Sequence, residues 1–215
     1  MTAFFSVLTV VSAAVLVHQE STGQGTAVAL GFVNAVGLET KTDVKVDGSS
    51  LKPAGFNQGS FVEGFGLPEG KHHFSFLNGT CDAVAQDIDV KPGPSPLYVL
   101  YAVPLKNPDG TAVKNPDGTV KNKLKLITIP PQTRSRGCQF FGFYASESPA
   151  TTFRANDSNI PIKGLQLIPL GQGRLTVQTG VQPVRYQPID SGNYVLVVFD
   201  GSDSHLHQSF VQMAE

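Results

Sequence analysis

The sequence contains no tryptophan, only two cysteines, and little charge: Asp, Glu, Lys and Arg make up 15% of it, against roughly 25% in an ordinary soluble domain. Its 16 basic and 17 acidic residues nearly cancel, so the electrostatic footprint that nucleic acid or an anionic membrane surface demands is missing. Cys81 and Cys138 stand alone, without Cys-x-x-Cys or Cys/His spacing, which excludes zinc-finger chemistry. Without tryptophan, the strongest sugar-stacking side chain is lost, though the five tyrosines could stack instead. The longest apolar run, Ala3 to Val17, falls short of the roughly 20 residues a spanning helix needs, so no integral membrane span is expected.

Stretches free of glycine and proline are equally scarce. With 22 glycines and 15 prolines, the long windows are Met1 to Thr22, Thr80 to Lys91 and Ser202 to Glu215; most others are shorter than the roughly 11 residues of an average helix. Glycine costs about 1 kcal/mol and proline about 3 inside a helix, so strands become the default.

The apolar segments agree. Val28 to Val33, Leu97 to Val103, Leu124 to Ile129, Gln139 to Ala145 and Tyr194 to Phe199 are short and rich in β-branched and aromatic residues. In Asp43 to Val46 the two valines share one face and the charges take the other, ahead of an Asp47-Gly48 turn. Lys71 to Leu77 places His72, Phe74 and Phe76 together and ends at Asn78-Gly79, predicting another hairpin. Strands so spaced predict an all-β chain: two antiparallel β-sandwich, immunoglobulin-like units in tandem. The expected division gives residues 1–130 to a first sandwich and residues 131–215 to a smaller second one. The sequence Lys-Asn-Pro-Asp-Gly-Thr occurs at 106–111 and again at 114–119, turn chemistry that predicts a projecting polar hairpin loop over 104–123.

The N-terminal apolar run reads either as a secretory signal, with Ser12-Ala13-Ala14 as a small-residue cleavage site, or as a retained buried strand. Export would place the chain in the periplasm, at the cell surface or outside the cell, where Cys81 and Cys138 could form one disulfide. In the cytosol they would be independent thiols.

Complete catalytic motifs are absent from the sequence. Gly64 to Lys71 fails the phosphate-loop pattern at Phe65 and His72, and the dinucleotide pattern at Glu69. There is no Gly-x-Ser-x-Gly, and the carboxylates are too scattered to nominate a glycosidase pair. His205 and His207 would share one face of a strand and are candidate metal ligands, with Asp200 or Asp203 nearby; otherwise they are surface histidines. No cofactor is implied. Asn78-Gly79-Thr80 and Asn156-Asp157-Ser158 match the glycosylation acceptor pattern.

Two stretches look alike. Gly31 to Asn34 leads into Val44 to Gly48, Gly59 to Phe61 and Leu67 to Phe76; later, Leu165 to Pro169 leads into Leu175 to Val177 and Asp190 to Val197. This strand, strand, turn, strand order resembles the bacterial extracytoplasmic β-sandwich modules found in alginate acetylation accessory proteins. The resemblance implies an exported, non-catalytic adaptor. The expected function is therefore a non-enzymatic cell-envelope protein that binds a protein partner or itself through strand edges, with the apolar N-terminal run as a strand to donate. The alternative is a carbohydrate-binding or polysaccharide-modification accessory protein.

Overall fold

The computed structural model describes residues 27–38, 40–79, 81–133, 136–148, 151–179, 183–188 and 190–213. Both readings of Ala3 to Val17 lie outside the described residues. No helix occurs among the described residues, as the glycine and proline spacing requires.

Residues 28–129 form β1 (Val28–Asn34), β2 (Thr42–Val46), β3 (Ser49–Ser50), β4 (Phe61–Leu67), β5 (Gly70–Asn78), β6 (Cys81–Asp82), β7 (Val84–Val90), β8 (Leu97–Pro104) and β9 (Asn122–Ile129). Residues 138–212 form β10 (Cys138–Tyr144), β11 (Thr151–Ala155), β12 (Ser158–Ile162), β13 (Leu167–Gln172), β14 (Leu175–Gln178), β15 (Val184–Tyr186), β16 (Gly192–Asp200) and β17 (Leu206–Gln212). They build four sheets: β4-β1-β8-β9-β6, β3-β2-β5-β7, β13-β10-β16-β17 and β12-β11-β14-β15.

The sheets are not purely antiparallel. β1 pairs parallel with β8, and β10 with β16. A parallel pair needs a long crossover, and the intervening strands provide it by running through the neighbouring sheet.

One pairing scheme is used twice. β1 lies between antiparallel β4 and parallel β8, with a bulge at Leu30/Gly31; β10 lies between antiparallel β13 and parallel β16, with a bulge at Phe140/Phe141. Past each parallel ladder the same bond recurs, Ala35 N to Leu100 O and Ala145 N to Val198 O, both 2.8 Å. The predicted Asp47-Gly48 turn forms with φ of 49° and 84°, and its counterpart is Asn156-Asp157 at 46° and 66°. Asn and Asp tolerate the left-handed region well enough to replace glycine in a hairpin turn. In each turn the first side chain accepts a main-chain N–H from across the sheet: Asp47 from His73 at 2.8 Å and Asn156 from Thr176 at 2.9 Å.

Three apolar layers fix the stacking order. Phe32, Phe56, Phe65, Phe74 and Phe76 fill the layer between the first two sheets, with Phe32 and Phe76 stacked at 5.5 Å. Phe140, Tyr144, Phe153, Ile162 and Leu196 fill the layer between the last two. The middle layer joins Val33, Ala35, Leu97, Val99 and Tyr101 of the first sheet to Phe143, Ala145, Val195, Val197 and Phe199 of the third. These are the same positions in the two pairing schemes, so equivalent faces meet. Burying such a side chain is worth about 1.5–3 kcal/mol, which makes the middle layer as integral as the outer two. It also explains why Tyr194 to Phe199 is apolar throughout: β16 is covered on both faces.

Candidate functional site

The C-terminal ends of β1, β8, β10 and β16 converge on a cleft of about 370 Å³. Its walls come from equivalent positions with opposite chemistry. Where the first half contributes Gly37, Leu38 and Ala102, the second contributes Glu147, Ser148 and Asp200. The main chains touch here: a Cβ on Gly37 would sit 1.6 Å from the Asp200 carbonyl oxygen.

The carboxylates of this cleft already have partners. Tyr144 donates its phenol to Asp200, 2.7 and 2.8 Å from the two oxygens. Glu147 accepts from the Lys125 ammonium and, at 3.5 Å, from the Tyr101 phenol. Burial, followed by the neighbouring carboxylate, pushes both phenols up to about 12. They therefore act as hydrogen-bond donors near neutral pH. Lys106 lines the cleft without an ion-pair partner among the described residues.

Sequence-predicted residues are dispersed. His205 and His207 both turn to Asp203: His207 Nε2 is 2.9 Å from Oδ1 and His205 Nδ1 is 3.5 Å from Oδ2, while the His207 ring stacks on Phe199. Among the described residues no group of three or more His, Cys, Asp or Glu is placed to hold a metal. Asp200, the other suggested ligand, is held by Tyr144.

Cys81 and Cys138 are not joined by a disulfide. Cys81 packs on the layer between the first two sheets and Cys138 on the layer between the last two, so the middle layer separates them. Cys138 instead sits 3.2 Å from the Asp190 carbonyl oxygen. Of the acceptor-pattern asparagines, Asn78 is 4% exposed and bonded to Thr40 and Thr42, which withdraws it from the surface.

Segment 104–123 is two short hairpins side by side rather than one long hairpin. Isolated bridges Lys106–Ala112 and Lys114–Val120 close them. Leu105 N donates to Lys121 O, Lys121 N to Val113 O, and Val113 N to Leu105 O, a closed ring of main-chain bonds. Each tip is built alike, with Asp109 or Asp117 accepting the N–H and hydroxyl of Thr111 or Thr119. The side chains satisfy the turns themselves.

The sheet margins carry a signal that the sequence did not. An exposed edge invites another strand unless it is short, charged, kinked or interrupted by proline. β3, β6 and β15 have two, two and three residues. β7 carries Asp87 and Asp89, β12 carries Pro161, β13 carries Pro169 and a bulge, and β4 carries a bulge. β9, the counterpart of β17, is capped by β6 and bears Lys123 and Lys125.

β17 has none of these devices. It is seven residues long, Leu-His-Gln-Ser-Phe-Val-Gln, without Asp, Glu, Lys, Arg, Pro or Gly. Bonds from Gly201 N to His205 O and from Met213 N to Asn193 O bracket its ladder with β16. By antiparallel alternation, His207, Ser209 and Val211 turn their main-chain groups toward β16, and Leu206, Gln208, Phe210 and Gln212 turn theirs away. Among the described residues these outward groups meet no main-chain partner. Beside the edge lies an apolar margin: Tyr186 stacked on Phe210 at 4.1 Å, Leu206, and Val184, which is 40% exposed. On the other flank, Gly59 lies beside Phe199 and the Gln208 carbonyl, where a Cβ would be 3.5 Å from the ring and 3.9 Å from the oxygen.

No protein-family model and no curated protein sequence matches the chain.

Proposed function

We propose that this is a non-enzymatic protein-interaction module of the cell envelope, built from two tandem immunoglobulin-like sandwich units that divide between residues 129 and 138. The unguarded edge of β17 carries the reading. A partner strand would satisfy the outward main-chain groups of Leu206, Gln208, Phe210 and Gln212 and cover Val184, Tyr186 and Phe210, the physics of strand addition. Support for a non-catalytic role comes from the cleft, whose carboxylates are engaged and whose phenols stay protonated. An extracytoplasmic location draws its support from the apolar Ala3 to Val17 run, and the mature N-terminus of the chain in fractionated cells tests it.

A photoreactive residue at position 208, compared with one at Gln86 on β7, tests the interaction role. A protein adduct at 208 and none at 86 is expected in the cells that make the chain; absence of an adduct at 208 overturns the reading.

The cleft supports a second reading, a saccharide accessory site. Lys106, Asn122, Ser148, Glu147 and Asp200 surround small apolar residues there, a mixture of donors and acceptors over an apolar floor. Shifts of Ala102 and Ala145 methyl resonances on titration with acidic oligosaccharides would support it, and unchanged spectra would remove it.

A further inference from the structure

We propose that the strand received by β17 is β17 of a second copy, paired antiparallel about Gln208 so that the third sheets of two molecules become continuous. The proposal rests on β17 being the binding edge and adds the identity of the partner.

The strand is chemically palindromic about Gln208. A two-fold axis perpendicular to the sheet at that residue sets Leu206 opposite Phe210 of the other copy, Gln208 opposite Gln208, and Phe210 opposite Leu206. These are the residues whose N–H and C=O groups point outward, so each facing pair exchanges main-chain hydrogen bonds. Such an axis keeps the faces of the sheet. Leu206 and Phe210, which already lean on the layer between the third and fourth sheets, therefore meet their counterparts on that same side. Apolar meets apolar and amide meets amide. Since β17 carries no formal charge among its acidic and basic types, a copy meets itself without like-charge repulsion. Val184, Tyr186 and Phe210 of both molecules would then extend one apolar layer across the junction. Rotation about an axis returns the same patch to both partners, so the pairing closes at two molecules.

β9 explains why the first half does not offer the same edge. At the equivalent margin, β6 already pairs with Asn122 and Lys123, and Lys123 and Lys125 put two positive charges on the strand, which β17 lacks. Among the described residues, the duplicated pairing scheme thus leaves this edge open in its second half alone.

Sedimentation equilibrium of the full chain and three variants tests the pairing. Gln208→Pro removes the outward N–H without touching a bond to β16. Gln208→Lys and Gln208→Glu each set like charges opposite one another at the axis. The expected result is a wild-type dimer, dissociation constants raised about tenfold or more by Gln208→Pro and several-fold by each charge variant, and recovery in an equimolar mixture of the Lys and Glu variants. Such recovery requires residue 208 to face itself. A wild-type dimer whose charge variants associate normally, or whose mixture recovers nothing, overturns the pairing. So does a monomer at several hundred micromolar. If that monomer still gives an adduct at 208 in cells, the interaction reading survives with a different partner; if it gives none, both fall. Gln208 is partly buried on an edge, its Oε1 accepting from the Thr179 hydroxyl at 3.2 Å; the charge variants lose at most that bond while the ladder with β16 stays, so they fold even if the proline variant does not.

Discussion

The imidazole of His72 lies between two acceptors, with Nδ1 2.7 Å from an Asp47 carboxylate oxygen and Nε2 2.9 Å from the Pro68 carbonyl oxygen. A neutral ring can donate from one nitrogen only, so both bonds call for the imidazolium. Burial pulls the His72 pKa down, but the bonds to Asp47 and Pro68 and the charge of Asp47 outweigh it, and the net shift is upward from 6.5. The same bond, with the His73 N–H, holds Asp47 below 3.8.

The signs set a pH window. A raised histidine pKa gives stability that is complete below the unfolded value near 6.5 and is lost as pH rises through the folded one. A lowered aspartate pKa gives stability present above 3.8 and lost as pH falls through its folded value. The clamp between the β2–β3 and β4–β5 turns is therefore strongest in mildly acidic solution. His72→Leu, the residue type at the equivalent Leu175, should flatten denaturation midpoints between pH 6 and 9 relative to wild type. The difference should be on the order of 1 kcal/mol, since Asp47 is half exposed and screened. Parallel pH profiles for the two proteins would contradict the imidazolium.

Gly37 and Gly48 should respond very differently to alanine. At Gly37 the new Cβ would lie 1.6 Å from the Asp200 carbonyl oxygen, and that obstacle is main chain. Relief requires the two halves to separate at the cleft, so Gly37→Ala should cost about 3 kcal/mol or more. At Gly48 nothing lies within 4 Å, but φ is +84°, and Gly48→Ala should cost only about 1 kcal/mol through backbone strain. Urea titrations of both variants rank the effects, and equal losses would contradict the close approach.

Tyrosine ionisation reports on the cleft. Tyr101, Tyr144 and Tyr186 are pushed up to about 12, each first by burial. Tyr101 and Tyr144 add a carboxylate neighbour, whereas Tyr186 has burial alone. Absorbance titration near 295 nm should therefore show these three phenols ionising late, with Tyr98 also raised above 10 by its burial. Asp200→Asn should lower the Tyr144 value, through loss of the carboxylate charge while the amide oxygen still accepts the phenol's hydrogen, without bringing it to 10. An unchanged titration in that variant would detach Tyr144 from Asp200.

The sequence revealed the all-β class because glycine and proline leave little room for helices, and β1, β8, β9, β10 and β16 appear where apolar β-branched runs occur. The sequence reading set Leu165 to Pro169 against Gly31 to Asn34, whereas the counterpart of β1 in the pairing scheme is β10. Phe140 to Tyr144 is buried on both faces and so lacks the alternation that marks a strand with one wet face. Asn156-Asp157-Ser158 reads as a turn, but without glycine it does not declare itself the counterpart of Asp47-Gly48. Parallel pairing leaves no mark in local pattern. Nor does edge position: Leu206 to Gln212 reads as an ordinary half-buried strand until the sheet order shows that no described strand lies beyond it. His205 and His207 have a spacing that suits a shared ligand, and sequence does not show that both rings turn to Asp203.

The middle layer should make the two halves unfold as one. Phe143 is 2% exposed and packs in the layer shared by the first and third sheets, which equivalent positions of both halves fill. Truncating it removes contacts from both sides of the layer, so Phe143→Ala should cost about 3–5 kcal/mol. Circular dichroism reports on all four sheets, whereas the near-ultraviolet signal of Tyr194 and Tyr186, packed with Phe210, reports on the second half once Tyr98 and Tyr101 of β8 are replaced by phenylalanine in every protein compared. If the middle layer couples the halves, both probes should lose stability together in Phe143→Ala and keep coincident midpoints. Phe74→Ala, confined to the layer between the first two sheets, should lower the tyrosine midpoint as well. A tyrosine transition that ignores Phe74→Ala would show that the halves unfold independently and that the middle layer is a contact between separate folds.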